Sequence, residues 1–197
     1  MHDDRRMRCA WAGPGVAANL RAYHDTEWGL PLHDDRALFE LLCLEGAQAG
    51  LAWRTVLDKR EHYRRAFAGF DLAACAQLDD RRIEELLGDP GLIRNRLKIS
   101  SVRDNARAAL AAIAERGSLD TLLWDFVDGT PICNAWRSPV DVPATSGHSE
   151  RMARDLRKRG FRFVGATICY AFMQASGMVN DHLVDCFRHR EVIGGQR

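Results

Sequence analysis

The segment from Ala166 to Gly177 constrains this 197-residue chain more than any other. Read at 3.6 residues per turn, it is apolar on nearly every face, with Ile168, Tyr170, Phe172 and Met173 pointing in different directions. A helix without a polar face cannot lie at a water boundary, so the segment predicts a central helix that other elements must surround.

Candidates for those elements are plentiful, and they are helical. Asp34 and Asp35 precede Leu38, Leu41, Leu42 and Ala49 at helical spacing, and an acidic pair suits a helix N-terminus. Further helical patterns are expected at about 54–67, at 80–87 through Ile83, Leu86 and Leu87, and at 94–115 through Val102, Ala106, Leu110 and Ile113, with Gly117 as a stop. An Arg-rich helix is expected from about 149. Alternating β-branched runs bounded by turns are scarce, so the fold class is all-α. The Pro-containing stretch from Pro131 to Pro143 is the best linker candidate, and it joins lobes rather than separate domains.

Composition narrows the class without naming a function. Hydrophobic residues at 46% and charged residues at 28% suffice for a folded core and exclude a disordered chain. Apolar runs are interrupted well before the roughly 18 residues of a membrane span, and Met1 to Trp11 lacks the apolar core of a signal peptide, so a cytoplasmic protein with no membrane partner is expected. In that setting the six cysteines read as reduced thiols and metal ligands rather than as a disulfide framework. A net charge of +1 gives no global basic field, so a nucleic-acid partner must be argued locally. Arg151, Arg154, Arg157, Lys158, Arg159 and Arg162 form one basic run, which also reads as a solvated helix face.

Four features carry chemistry. His182 and Cys186, at i and i+4, would share a face of a helix and could share one ion, with Cys9 and His24 offering the second sulfur and nitrogen of a tetrahedron. Each of the four alone also reads as a buried thiol or a satisfied histidine. Four protein ligands leave no position for a metal-bound water, so such an ion would be structural, and a hydrolytic zinc enzyme would need one ligand replaced.

Glu45 falls on the apolar stripe of the helix carrying Leu38, Leu41 and Leu42, where an unpaired carboxylate costs several kcal/mol. It requires a cationic partner, hydrogen bonds or access to a pocket. Gly46, Gly50 and Trp53 follow, loosening the helix into a turn that presents a large aromatic. Trp53 reads either as core or as a platform on which an extruded base stacks while Glu45 bonds its edge. Finally, the run from Leu87 through Gly88, Pro90 and Gly91 to Arg94 and Arg96 is either a plain connection or a hairpin whose backbone amides hold a DNA phosphate.

Together these residues resemble the 3-methyladenine-DNA glycosylase I family of helix-hairpin-helix glycosylases. The resemblance runs from Arg8 to Cys186 through Tyr23-His24-Asp25, Glu27-Trp28-Gly29, Cys43-Leu44-Glu45-Gly46, Gln48-Ala49-Gly50-Leu51, Pro90-Gly91-Leu92-Ile93-Arg94-Asn95-Arg96, Lys158-Arg159-Gly160-Phe161, Thr167-Ile168-Cys169-Tyr170 and Val179-Asn180-Asp181-His182. It implies a helix-hairpin-helix glycosylase-like fold with a zinc-stapled lobe joining the two ends of the chain. The helical lobe with the hairpin spans about 31–140, and the zinc lobe about 1–30 plus 141–197. It further implies one structural zinc ion on Cys9, His24, His182 and Cys186, and a pocket where Glu45 and Tyr23 hydrogen-bond 3-methyladenine and Trp53 stacks on it.

Pro90, Gly91, Arg94 and Arg96 are the implied contacts to double-stranded alkylated DNA. The implied activity is monofunctional base excision repair, with Glu45 as the catalytic residue, an abasic site and free 3-methyladenine as products, in a bacterial, cytoplasmic monomer. Trp11 and Trp28 receive no role. Ala52 stands where the family usually has serine, which puts one local contact in doubt. The reading from a different class is a zinc-stabilised DNA-binding protein without glycosylase activity. The decisive feature is whether Glu45, Tyr23 and Trp53 converge on a cavity.

Overall fold

The computed structural model describes residues 6–194, so the outermost residues of the expected zinc lobe, 1–5 and 195–197, lie outside the described residues. The helices in chain order are α1 (Ala18–Thr26), α2 (Asp35–Gln48), α3 (Trp53–Leu57), α4 (Arg60–Ala66), α5 (Leu72–Ala76), α6 (Asp80–Leu87), α7 (Arg96–Arg116), α8 (Leu119–Trp124), α9 (Gly147–Lys158), α10 (Ala166–Ala175) and α11 (Phe187–Gly194). Two-residue strands β1 (Ile132–Cys133) and β2 (Val179–Asn180) pair in parallel, Ile132 with Val179 and Cys133 with Asn180. The all-α expectation holds, and the small ladder is too short for any periodicity to announce it.

The central helix is α10, packed against α9, α2 and β2. Cys169, Tyr170, Phe172, Met173 and Ala175 are buried in the core, whereas Ala171 and Gln174, three residues apart on one side, face a cavity. One hydrophobic cluster runs from Leu38 and Phe39 on α2 through Ile99 and Val102 on α7 to Met152 on α9 and Phe172 on α10, so both expected lobes draw on the same core. At 21 residues α7 is long enough to receive α5, α6, α8 and α2 along its length.

Short acidic and hydroxyl side chains start these helices as the sequence implies. Asp34 accepts from Ala37 N at 2.8 Å, and Asn95 accepts from Lys98 N at 3.2 Å at the head of α7. Asp35 serves a second helix as well, accepting from Leu119 N at 3.1 Å and Asp120 N at 2.8 Å to fix α8 beside α2. Gly117 ends α7 at φ +89°.

Where one helix over 54–67 is expected, there are two. The break lies at Asp58 and Lys59, which are tied sideways, Asp58 accepting from Asn19 Nδ2 at 2.5 Å and Lys59 Nζ donating to the Pro90 carbonyl at 2.6 Å. The stretch 131–143 is also anchored: Ile132 N donates to Met178 O at 2.9 Å and Asn134 N to Asn180 O at 3.2 Å. Gly177, at φ +72°, ends α10 where any Cβ would strike the Leu30–Pro31 backbone. That close approach lets Leu32 N bond Ser176 O at 3.0 Å and brings the chain after α1 across the end of the central helix.

Candidate active site and metal centre

Cys9, His24, His182 and Cys186 are all buried, and their ligand atoms lie within 4.8 Å of one another. His24 comes from the last turn of α1 and Cys9 from the loop before a short 3-10 helix at Ala10–Ala12. His182 and Cys186 do not lie on a helix, as their spacing suggests; α11 begins only at Phe187. Val184 N is drawn to Trp136 O at 3.0 Å, and a turn closed by Cys186 N to Leu183 O at 2.8 Å brings the pair together instead.

The donor set fits a tetrahedral ion. Distances of about 2.3 Å to sulfur and 2.0–2.1 Å to nitrogen place the two atom types about 3.5 Å apart at tetrahedral angles. Cys9 Sγ lies 3.6 Å from His182 Nδ1, and Cys186 Sγ lies 3.5 Å from both His182 Nδ1 and His24 Nε2.

The outer ring nitrogens are occupied in the manner of metal-binding imidazoles: His24 Nδ1 meets Asp25 Oδ1 at 2.8 Å, and His182 Nε2 meets the Trp28 carbonyl at 3.1 Å. Each such bond puts the proton on the outer nitrogen and leaves the inner lone pair free. Asp25 is itself held by Arg8, whose Nε and Nη2 donate at 2.9 and 2.7 Å. Gly29 at φ +82° is required here, since a Cβ would come within 2.9 Å of His182 Nε2. The cluster can therefore hold a metal ion. Arg8 and Asp25 are supporting residues that the Cys and His spacing did not reveal, although Asp25 directly follows His24.

A cavity of about 350 Å³ opens beside the cluster, lined by Trp11, Tyr23, Trp28, Glu45, Trp53 and Gln174 among others. The structure thus brings Tyr23, Glu45 and Trp53 together. Glu45 lies on α2, buried, and forms no ion pair among the described residues; burial alone pushes its carboxyl up to about 8. The Tyr23 hydroxyl and Trp53 Nε1 are buried without a hydrogen-bond partner. Two such orphans cost about 1–3 kcal/mol each, which marks a wall completed by something that enters. The Tyr23 and Trp53 rings are 5.5 Å apart at 43°, and Trp11 stands edge-on to Trp28 at 5.1 Å. Trp28 in turn stands edge-on to His182 at 4.6 Å, so one aromatic layer serves both the cavity and the cluster.

Lys98, near the expected hairpin, has a different place. Its ammonium is buried and donates to the carbonyls of Ala47 at 2.9 Å and Ala49 at 2.6 Å, closing the C-terminal turn of α2 just past Glu45. The segment between α6 and α7 is a tight turn in which Gly91 N donates to Asp89 Oδ1 at 2.7 Å, and a Cβ on Gly91 would run into the His62 ring. Pro90, Arg94 and Arg96 are exposed there, Arg96 paired with Glu84 and Arg94 with no partner among the described residues. On α9 the basic run is partly tied down, with Arg159 bonded to Glu115 and Asp155 and Arg151 to the Phe126 carbonyl. Met152, Ala153 and Leu156 bury the opposite face of that helix.

Comparison with known proteins shows the family. A family model described as methyladenine glycosylase matches residues 11–189. DNA-3-methyladenine glycosylase 1 of Escherichia coli is 44% identical over 179 residues, covering 91% of this chain and 95% of that protein. A crystal structure of 3-methyladenine DNA glycosylase I is similar with a TM-score of 0.88 at 48% identity, covering 92% of this chain and 98% of the other. A variant of 3-methyladenine DNA glycosylase I in complex with 3-methyladenine also gives 0.88, at 32% identity and coverage of 91% and 96%. The chain belongs to the methyladenine glycosylase family.

Proposed function

We propose that this chain is a monofunctional DNA glycosylase that hydrolyses the N-glycosidic bond of 3-methyladenine in alkylated double-stranded DNA, leaving an abasic site and the free base. The observation that carries this reading is the convergence of Glu45, Tyr23 and Trp53, two of them with orphaned donors, on one aromatic cavity. Its supports are the family and a relative in complex with 3-methyladenine.

The chemistry is modest and suits these residues. Methylation at N3 places positive charge on the base, weakens the glycosidic bond and makes a good leaving group. Extrusion costs a few kcal/mol, least for a damaged base, and stacking on Trp53 returns about 1–3 kcal/mol. A cation entering beside Glu45 supplies the charge that burial withholds, so the carboxyl releases its proton to solvent and binds the base as a carboxylate. The Tyr23 hydroxyl orients the base; the C1′–N9 bond breaks with its electron pair passing to the cationic base, which leaves neutral, and water adds at C1′ and releases its extra proton to solvent. A lyase reaction would need a lysine nucleophile; of the three lysines, Lys59 and Lys98 are each engaged with backbone carbonyls, and Lys158 on α9 does not line the cavity that holds Glu45.

Pro90, Gly91, Arg94 and Arg96 would hold the DNA backbone at the hairpin. Cys9, His24, His182 and Cys186 would hold one zinc ion, which supplies folding energy and a fixed aromatic wall.

The test is release of free base from methylated DNA, separated chromatographically, with Glu45→Gln assayed beside the wild type. Selective appearance of 3-methyladenine, reduced at least about 100-fold in the variant, is expected. A folded, zinc-loaded protein that binds DNA and releases no base overturns the reading in favour of a binding protein.

A further inference from the structure

Asp181 is a buried carboxylate with both oxygens filled. Oδ1 accepts from Asn134 Nδ2 and Trp136 Nε1, each at 2.7 Å, and Oδ2 accepts from the Tyr170 hydroxyl at 2.7 Å and Gln174 Nε2 at 2.8 Å. Four donors surround it, with no ion pair among the described residues. The consequence falls on Gln174. A carboxylate only accepts, so the amino end of the Gln174 amide is committed to it and the carbonyl end is left over.

The direction of that carbonyl follows from the cavities. A second cavity, of about 450 Å³, adjoins the first behind Trp11 and Trp28; Asp181 lines this one and not the first, while Gln174 lines both. Nε2 is turned toward Asp181 on the side of the second cavity, Oε1 has no partner among the described residues, and we infer that this oxygen serves the cavity that holds Glu45. Gln48 is set in the same sense, its Nε2 donating to Leu51 O at 2.8 Å and its carbonyl left over. Beside the Glu45 carboxyl, the cavity lining thus includes two glutamine side chains whose carbonyl ends are uncommitted.

We propose that Gln174 is a specificity-determining residue that reads the exocyclic amino group of the extruded base, and that Asp181 is the positioning residue that fixes which end of its amide does the reading. The inference rests on the base-excision reading above. An amino group offers two N–H donors, enough for Glu45 and Gln174 together, whereas a 6-oxo purine sets a lone pair against the Gln174 oxygen. A glutamine free to turn over would accept either base. This one cannot, because turning would set its oxygen against the Asp181 carboxylate.

The experiment is titration of free 3-methyladenine and of its 6-oxo counterpart, 3-methylhypoxanthine, by quenching of tryptophan fluorescence, with wild type, Gln174→Met and Asp181→Asn. The wild type is expected to prefer the amino base by about 10-fold or more, and Gln174→Met, equal in length and without the acceptor, to lose about 10-fold of that preference. Asp181→Asn frees the amide to turn over and is expected to lower the ratio similarly; a merely structural role would weaken both ligands alike and leave the ratio in place. An unchanged ratio in a folded Gln174→Met protein overturns the proposal, as does a wild type without the preference. A wild type that neither binds nor excises 3-methyladenine overturns the base-excision reading instead.

Discussion

Glu45 keeps its proton at neutral pH because nothing beside it carries a positive charge, and burial alone holds its carboxyl at about 8 against an ordinary 4.5. The unfolded chain releases that proton near 4.5 and the folded protein only near 8, so between those values the folded state binds more protons and stability falls as pH rises. Glu45→Gln removes this dependence. Chemical denaturation from pH 5 to 8 should show the wild type losing up to about 1 kcal/mol per pH unit relative to the variant. Parallel curves would mean that Glu45 is already ionised in the empty cavity. The residue was legible in the sequence because a carboxylate on an apolar stripe is an anomaly. Gln174 was not, since one amide within a hydrophobic run carries no such contradiction until Asp181 is seen to hold it.

At the scale of the element, the end of α2 determines where Glu45 stands. Its last carbonyls would be orphaned by burial, and Lys98 from α7 answers two of them at 2.9 and 2.6 Å. Lys98→Met should lower stability by about 1–3 kcal/mol in a denaturant titration and weaken base binding, because the final turn of α2 loses its clasp. A variant as stable and active as wild type would show that water replaces the ammonium.

Long amphipathic helices such as α2 and α7 could be read from periodicity, as could the caps at Asp34 and Gly117. The division of 54–67 into α3 and α4, and the turn that brings His182 to Cys186, could not. Both arise from tertiary bonds, through Asn19, Pro90 and Trp136, that local pattern does not encode. The i, i+4 spacing thus singled out two residues that do meet in the cluster, by a turn and not by the helix the spacing suggests.

At the scale of the whole molecule, the cluster joins residues 9 and 24 to residues 182 and 186, while Phe187 N reaches Met7 O at 2.9 Å. An ion bound there and absent from the unfolded chain adds to the stability of the whole fold, on the order of 10 kcal/mol for structural zinc. The native protein is expected to carry one zinc per chain by elemental analysis. Exhaustive chelation should lower the melting temperature by at least about 10 °C, reversed by added zinc. No zinc in the purified protein, or melting indifferent to chelation, would overturn that assignment.

The same arrangement bears on how the protein is made. Trp11, Tyr23 and Trp28 leave the ribosome before His182, whose ring holds the Trp28 carbonyl and which follows more than 150 residues later. At about 5–20 residues per second that delay is on the order of 10 s. Throughout it half of the cavity wall is present without its keystone. The nascent chain can fold its helices as they emerge, but the cavity acquires its full support only once His182 has followed.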